Sequence, residues 1–460
     1  MVESKEFRVL SPTAILGYGF PEASFQRGLN RNPHLIAVDA GSTDPGPYYL
    51  GIGKSFTDRA FVKRDLRYLL KAGVEKKIPV VIGSAGGAGA SSHLRWCQEI
   101  IEEIATEEKL SFKLGIIPAD VEKKKVLSAL SRDKISPLKY VHELTPVHVK
   151  ESTAIVAQMG IAPLQQALEK GCDVVLAGRS YDPAVFAALP VMLGYDPGLA
   201  LHMGKILECA AIASTPGSGA DCALGILKSD SFVLEPLNPK RRFTTESAAA
   251  HTLYEKDDPY HLPGPGGVLD LTDCKFKQVD SSRVEIRGTR FVPSEKPNVK
   301  LEGARLVAYR SISIAGTRDP IMIKNIDKII GEVREQIDEM MSRDKVEGDI
   351  YFHIYGKNGV MGEMEPLDFS QTSSHELGII IEALGPTQDK ADTLCSITRS
   401  TLLHYGYENR IATAGNLAFP FSPSDSSLGK VFEFSIYHLL ELEEDEAEIF
   451  PCEVKEINCN

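Results

Sequence analysis

The sequence predicts an α/β fold, in which a mostly parallel sheet covered by helices forms the amino-terminal half of the 460-residue chain. Three observations predict it. Up to about residue 225, short apolar runs end in small or polar residues and are followed by amphipathic stretches. From there to about residue 300, polar and apolar positions alternate, which is typical of antiparallel strands with one solvated face. Beyond residue 301 the segments follow the order β-α-β-β-α-β. The predicted domains are therefore 1–225, a crevice-forming α/β domain; 226–300, an antiparallel β segment; and 301–460, an α+β domain with an acidic tail.

Three strand–loop–helix units justify the parallel sheet. HLIAVD ends at Asp39, IPVVIGS covers residues 78–84, and CDVVLAG ends its strand near Ala177. The second unit continues into SSHLRWCQEIIEEIATEE, whose apolar residues recur at helical spacing, with Ser91 or Ser92 as its N-cap. The third continues into a helix from about Pro183. FKLGIIPAD predicts one more strand, before a helix at 121–131. Alternating strands and helices imply a sheet that is covered on both faces.

The carboxyl-terminal half is assigned in the same way. The predicted strands are ARLVAYRSISIAG, DIYFHIYG, HELGIIIEAL and, as the last strand, VFEFSIYHLLEL. The predicted helices are PIMIKNIDKIIGEVREQIDEMM and DKADTLCSITRSTLLHYG. The run ELEEDEAE is interpreted as a solvated acidic surface.

Composition excludes several classes of function. Lys and Arg number 51 against 63 Asp and Glu, a net charge of −12, and the basic residues are not clustered, so we expect no nucleic-acid partner. No stretch approaches ~18 uninterrupted apolar residues and the amino terminus does not resemble a signal peptide. We therefore expect a cytoplasmic protein without a membrane partner. The eight cysteines are scattered, which predicts free thiols.

The loops after three of the strands are expected to form one crevice, because ligands of open parallel sheets bind beyond the carboxyl ends of the strands. The second of these loops, GSAGGAGASS, is rich in glycine and precedes a helix, an arrangement in which backbone amides can face an anion. We predict cofactor or anion binding by Ser84, Gly86, Gly87 and Gly89. The loop lacks the lysine of a Walker motif and fails the G-x-G-x-x-G pattern. The alternative is a tight turn that packs the helix against the strand.

Charged residues in the other two loops are candidates for chemistry. In DAGSTDPGP, Asp39 and Asp44 could hold a divalent metal ion, or one of them, Asp39 or Asp44, could act as a general base. The alternative is that both carboxylates serve only turns. In GRSYDP, Arg179 is predicted to bind a carboxylate of the substrate. Asp182 is a candidate catalytic residue; the alternatives are that it is the salt-bridge partner of Arg179 or the N-cap of the next helix.

A further cluster lies in LHMGKILECAAIASTPGSGADC. If its first part is helical, His202, Lys205, Cys209 and approximately Glu208 share one face. We predict His202 and Glu208 as acid–base residues beside the crevice. The alternative is a structural histidine.

Several long motifs in order resemble one known family. They include DAGSTDPGPYYLG, VVIGSAGGAGA, VVLAGRSYDPAVFAALP, GLALHMGKILECAAIASTPGSGADC, KLEGARLVAYRSISIAGTRDP and GNLAFPFSPSD. With them the chain resembles the acyclic terpene utilisation family from near residue 7 to about 440. The resemblance implies a place in bacterial breakdown of citronellol- and geraniol-type acids as coenzyme A thioesters, with relatives linked to hydration or lyase steps on branched acids. Longer members carry an additional ferredoxin-like module, which the resemblance implies is supplied here by a small separate subunit.

These observations lead to two main hypotheses. The first is a lyase of the hydratase/dehydratase type that acts on a branched hydroxy acid or its coenzyme A thioester, with a divalent metal ion as the cofactor to be considered. Such a reaction needs an anion grip, a base for the proton next to the carbonyl, and an acid or metal at the departing hydroxyl. The second is a non-catalytic subunit that binds coenzyme A or a nucleotide and scaffolds a small partner. A nicotinamide-dependent oxidoreductase is disfavoured by the failed fingerprint. We expect a homo-oligomer.

Overall fold

A computed structural model describes residues 6–254, 257–366, 374–411, 413–443 and 445–459. Its first part contains β1 (Phe7–Ser11), α1 (Glu22–Asn30), β2 (Leu35–Asp39), α2 (Pro47–Ile52), α3 (Arg59–Lys76), β3 (Val80–Gly83), α4 (Ser91–Glu108), β4 (Phe112–Ile117), α5 (Lys123–Leu130), β5 (Ile135–Pro137), α6 (Pro146–Glu151), β6 (Ser152–Ala157), α7 (Ala162–Glu169), β7 (Val174–Ala177), α8 (Ala184–Met192) and α9 (Pro197–Leu207).

After a 3₁₀ turn at Ala210–Ala213, the chain continues with β8 (Ala223–Leu227), β9 (Ser231–Pro236), α10 (Thr245–Leu253), β10 (His261–Gly264), β11 (Gly267–Asp270), β12 (Lys275–Gln278), β13 (Val284–Arg287), β14 (Arg290–Pro293), β15 (Asn298–Thr317), α11 (Pro320–Lys324), α12 (Ile326–Asp344), β16 (Asp349–Tyr355), a 3₁₀ turn at Gly362–Met364, β17 (Leu377–Gly385), α13 (Gln388–His404), β18 (Asp425–Glu441), α14 (Glu446–Ile449) and β19 (Glu453–Ile457).

The chain divides into two compact units. The first consists of the chain up to Arg305 together with the stretch from Phe434 onward, and the second is Leu306–Glu433. The domain boundaries proposed from composition, near residues 225 and 300, stay a prediction.

A ten-stranded sheet forms the framework of the first unit. Its order is β12-β13-β9-β8-β1-β2-β3-β7-β4-β19. The five central strands, β1-β2-β3-β7-β4, are parallel, and the flanking strands pair antiparallel. The predicted parallel sheet is therefore confirmed. Part of the predicted antiparallel segment extends this sheet, whereas β10, β11 and β14 form a small sheet of their own.

The parallel strands are apolar throughout because helices cover both faces of the sheet. In β2, Leu35 and Ala37 pack into a core with residues of α7, α8 and α9, whereas Ile36 and Val38 pack into a second core with α1, α3 and α4. This alternation follows from the two-residue period of a strand, and it makes every residue of β2 buried.

The second unit is an antiparallel sheet that carries its helices on one face. Its elements follow the predicted order β-α-β-β-α-β, and β15 pairs with β17, which pairs in turn with β16. The predicted first helix is divided at Asn325 into α11 and α12. Alternate residues of the strands, such as Ile379 and Ile381, pack against Val333 and Ile337 of α12.

Three local predictions differ from the structure. The N-cap of α4 is Ala90, and no side chain caps that helix; Ser91 instead donates its hydroxyl to Asp120 over 2.6 Å. The strand β18 is not the last, because β19 follows it and pairs antiparallel with β4. The acidic run between them is also not wholly solvated, since Glu446 is partly buried and accepts a hydrogen bond from the amide of Gly160. Among the described residues, no helix is both long and apolar enough to cross a membrane.

Candidate functional site at the carboxyl edge of the parallel strands

The loops after β2, β3 and β7 meet at one edge of the sheet, as predicted. These strands are parallel neighbours, so their carboxyl ends lie side by side. The loops are joined by hydrogen bonds: the amide of Ser84 donates to the hydroxyl of Ser180 over 3.1 Å. Residues that follow α9, including Glu208, add their charges to the same region.

Arg179, which follows β7, is the centre of a buried ion network. Its Nε donates to Glu302 on β15 over 2.8 Å, and its Nη1 donates to Asp182 over 2.9 Å and to Ser84 over 3.1 Å. Lys300 completes the network with an Nζ–Oε1 distance of 2.7 Å to Glu302. Both Arg179 and Glu302 are 2% exposed or less. The guanidinium therefore holds Asp182 in place, with its Nε and Nη1 donors used within the protein, and substrate binding by Arg179 stays a prediction.

The network keeps its members charged despite burial. Burial opposes ionisation of Glu302, but Arg179 and Lys300 outweigh it and hold the pKa of the Glu302 carboxyl at about 2. Burial also disfavours the Arg179 cation, but Glu302 and Asp182 raise the pKa of the guanidinium. Asp182 is the salt-bridge partner of Arg179 and is not the N-cap of α8, which is Pro183. Its role as a catalytic residue stays a prediction.

Asp39 ends β2 as a carboxyl group in an apolar setting near other carboxylates. It is 5% exposed, and its Oδ2 accepts a hydrogen bond from the Gly41 amide over 3.0 Å. Its Oδ1 has no hydrogen-bond partner in the part of the chain that is described. Burial and the carboxylates of Asp182 and Glu208 raise the pKa of Asp39 well above its usual value. This shift favours the protonated form of the Asp39 carboxyl group.

A second polar cluster follows α9. Lys205 donates from Nζ to Glu208 over 2.6 Å, and both are nearly buried. Burial opposes the Lys205 cation, but the Glu208 carboxylate raises the pKa of the ammonium group. Ligand atoms of Glu208, Cys209 and His251, the last from α10, all lie within 4.8 Å of one another. The predicted proximity of Lys205 and Glu208 is confirmed, although α9 ends at Leu207 and leaves Cys209 beyond it.

His202 lies in a different environment from this cluster. It is fully buried, with Nδ1 2.7 Å from the hydroxyl of Thr289 and Nε2 2.9 Å from that of Thr252. Because Thr252 donates its own proton to the Ala248 carbonyl, it accepts one from Nε2 of His202. Burial, and secondarily Lys205, lowers the pKa of His202 to about 3. Both ring nitrogens are hydrogen-bonded to threonine hydroxyls, which favours the alternative interpretation that this histidine is structural.

The glycine-rich loop is packed inside the protein. The amides of Ser84, Ala85, Gly87 and Gly89 donate to carbonyl groups of the protein. A Cβ on Gly89 would lie 2.1 Å from the amide nitrogen of Arg179, and Gly89 has a φ of +67°. This geometry favours the tight turn that was the alternative to anion binding by Ser84, Gly86, Gly87 and Gly89.

The two carboxylates predicted as a metal pair occupy unlike settings. Asp39 is buried, whereas Asp44 is exposed and donates its amide to the Ser42 hydroxyl over 3.1 Å. The Asp44 backbone thus takes part in a turn, and the metal and general-base roles of its carboxylate stay predictions. Between them, Thr43 is 3% exposed, and its hydroxyl has no partner within the described ranges.

Apolar side chains lie near the loops at the carboxyl edge of the sheet. Tyr18 and Ile212, which are 48% and 43% exposed, both lie against Gly219. Phe56 packs on Gly41 and Gly87, which belong to the loops after β2 and β3. The carboxylates are thus accompanied by surface that suits an aliphatic group.

Sequence reasoning missed three members of these clusters, Lys300, Glu302 and His251. The signal for Glu302 was a charged residue within the apolar strand segment KLEGARL. No local signal marked His251, because a single histidine in a short helix is usually structural.

A wide cleft of about 1540 Å³ lies at the opposite edge of the sheet, lined by residues that include Arg8, His34, Lys77 and Asp196. The charged residues there carry both signs and are not gathered around a buried carboxyl group. We therefore place the candidate site at the carboxyl edge, where ligands of such sheets bind.

Comparison with known families gives a match to the model for "acyclic terpene utilisation family protein AtuA", over residues 55–222 and 228–409. The matched stretches cover most of the chain. The chain belongs to the acyclic terpene utilisation family. No curated protein and no solved structure gave a significant match. The stretches that match the AtuA family model include Arg179, Asp182, Glu208, His251 and Glu302, whereas Asp39 and Asp44 precede residue 55.

Proposed function

We propose that the protein is a lyase of the hydratase/dehydratase type, which adds or removes water at a branched hydroxy acid or its coenzyme A thioester. The observation that carries the proposal is that the loops after β2 and β7, with Asp39 and Asp182, meet at one edge of the sheet, where Asp182 and Glu208 act electrostatically on Asp39. Reversible loss of water needs one group that gives a proton and another that takes one.

Asp182 is the base in this proposal. Its carboxylate is partly exposed, at 24%, and Arg179 fixes its orientation. In the direction of dehydration, Asp182 removes the proton on the carbon next to the carbonyl, and the electrons of that C–H bond form the C=C bond. Lys205 supplies positive charge near the oxygen that becomes more negative in the transition state.

Asp39 is the acid. Burial and the neighbouring carboxylates raise the pKa of Asp39 and so favour the protonated carboxyl group. Its buried Oδ1 has no hydrogen-bond partner among the described residues, so a proton there is not bound to another protein group. The C–O bond to the hydroxyl breaks as the oxygen takes the proton, and water leaves. Hydration is the reverse sequence, so no oxidant or reductant is needed.

The substrate class is supported by the apolar surface and by the family. Tyr18, Phe56 and Ile212 offer contacts for an aliphatic chain near the charged residues. Membership of a family named for acyclic terpene utilisation agrees with branched acids as substrates. The scaffold hypothesis finds less support, because the glycine-loop amides that would bind its ligand are already used. Homo-oligomerisation and a small partner subunit stay predictions.

The test is a dehydration and hydration assay with branched 3-hydroxy acids and their coenzyme A thioesters. Product is detected by mass spectrometry as loss or gain of one water. We expect turnover by the native chain and a loss of about 100-fold or more in Asp182→Asn and in Asp39→Asn. Asp120→Asn, at an exposed position after the neighbouring strand β4, is the matched control and keeps full activity. Full activity of both site variants would refute the proposal.

A further inference from the structure

We propose that Glu208, Cys209 and His251 form a binding site for a zinc ion. Three chemically different ligand atoms, a carboxylate oxygen, a thiol sulfur and an imidazole nitrogen, lie within 4.8 Å of one another. Zn²⁺ binds this mixture of ligands, and it does so tetrahedrally. In that geometry, Zn–S of about 2.3 Å and Zn–N of about 2.0 Å place the ligand atoms roughly 3.5 Å apart. Closing the cluster therefore needs side-chain movements of about 1 Å.

The setting of His251 points independently to a ligand. The side chain is 8% exposed, yet its Nε2 has no hydrogen-bond partner in the described part of the chain. A buried imidazole nitrogen without a partner is costly, and a metal ion bound through Nε2 would satisfy it.

Neighbouring residues hold the ligands in place. Lys205 donates to Oε1 of Glu208 over 2.6 Å. The ring of Tyr254 stacks on that of His251, with centroids 5.6 Å apart and planes 12° apart. Lys205 also lies over the Tyr254 ring, 5.5 Å from its centroid. Such outer contacts orient metal ligands and tune affinity.

The cysteine supplies the selectivity of the site. Among the described groups, Cys209 is one of the free thiols, and it is partly buried. Binding forms a Zn–S bond and releases the thiol proton to solvent, so no oxidant is involved. A thiolate ligand favours zinc over magnesium or calcium, which prefer oxygen.

Three protein ligands leave a fourth position open, which is typical of catalytic zinc sites. A carbonyl oxygen bound there would be polarised, and the neighbouring C–H bond would become more acidic. This role rests on the proposed function, whereas zinc binding itself does not.

The test measures zinc content and a cobalt spectrum, both independent of turnover. After the full chain is stripped with chelator and equilibrated with zinc, we expect one Zn²⁺ per chain. Loading with Co²⁺ should give a thiolate-to-cobalt charge-transfer band in the near ultraviolet. Cys209→Ser should abolish the band. Lys205→Met should lower zinc affinity roughly 10–100-fold, and His251→Gln should lower it at least as much.

Two matched controls keep zinc and the band: Cys274→Ser, at another partly buried free thiol, and His261→Gln, at an exposed histidine. Folding of each variant is checked by circular dichroism. The native chain alone also decides the matter, because a folded native chain that takes up no zinc and shows no cobalt band overturns the site. If zinc binds but no substrate turns over, the lyase proposal fails and the metal site stands.

Discussion

Arg179 donates from Nε to the carboxylate of Glu302 over 2.8 Å, and both side chains are buried beneath the candidate site. Replacing one partner leaves the other as an unpaired buried charge. We predict that Glu302→Gln lowers the free energy of unfolding by about 3–5 kcal/mol. Trp96, the one tryptophan of the chain, lies in α4 of the same unit, so urea unfolding followed by its fluorescence measures this effect.

The matched control for this change is an exposed ion pair of the same unit, Lys139 with Asp257. We expect Asp257→Asn to change stability by less than about 0.5 kcal/mol. Equal unfolding midpoints for the two variants would show that the buried network does not stabilise the unit.

The turn after β3 should tolerate no side chain at Gly89. An added Cβ would meet the Arg179 backbone at 2.1 Å, and the φ of +67° disfavours L-residues. We predict that Gly89→Ala costs on the order of 3 kcal/mol, again by urea unfolding. Gly171→Ala separates the two causes, because Gly171 has a φ of +75° but no atom within 4 Å of its added Cβ. It should cost only about 1 kcal/mol, and a similar cost at both positions would exclude the close approach as the cause.

Stability should fall on acidification because of His202. Its pKa in the folded chain is lowered to about 3 by burial and by Lys205, so the unfolded chain binds the proton more readily. Its contribution is fully present above about pH 6.5 and is lost as the pH falls from there toward 3. We predict that His202→Gln reduces the slope of unfolding free energy against pH by about 1.4 kcal/mol per pH unit between pH 6 and 4. An unchanged slope in His202→Gln would contradict the account.

Glu446 should act with the opposite sign. Burial, opposed by the Gly160 amide and assisted by Asp445, raises its pKa to about 7. Because its pKa is raised, the protonated Glu446 carboxyl contributes to the stability of the folded chain below about pH 4.5. This contribution is lost as the pH rises through 7. Since Gln cannot ionise, Glu446→Gln should gain about 2 kcal/mol relative to the native chain between pH 5 and 8, allowing for partial exposure. The comparison is with the exposed Glu448→Gln, and an identical pH profile for both variants would rule out burial of the charge.

The parallel sheet could be predicted from sequence because its signals are local. Strands such as β2 and β7 are continuous apolar runs that end in small or charged residues, and helical spacing in α4 marks the covering layer. The rule that loops meet at the carboxyl edge then brought Asp39, Ser84 and Arg179 together. The position of β19 could not be predicted, because it depends on pairing with β4, more than 300 residues earlier in the chain.

The roles within the site were harder to predict, since they depend on partners that are distant in sequence. Arg179 at a strand end resembles a substrate grip until Glu302 and Asp182 are seen to occupy its donors. The two threonines that occupy both nitrogens of His202 come from separate segments. His251 joins Glu208 and Cys209 only through the packing of α10 beside α9.

The most direct test of the proposed reaction is incorporation of deuterium at the carbon next to the carbonyl. A branched 3-hydroxyacyl thioester is incubated with the chain in D₂O, and the substrate and product are followed by NMR. The account predicts exchange at that carbon with the native chain and with Asp120→Asn, and its loss in Asp182→Asn. The account would be contradicted if exchange persisted unchanged in a folded Asp182→Asn variant. It would also be contradicted if no branched thioester or acid showed exchange or turnover with the native chain.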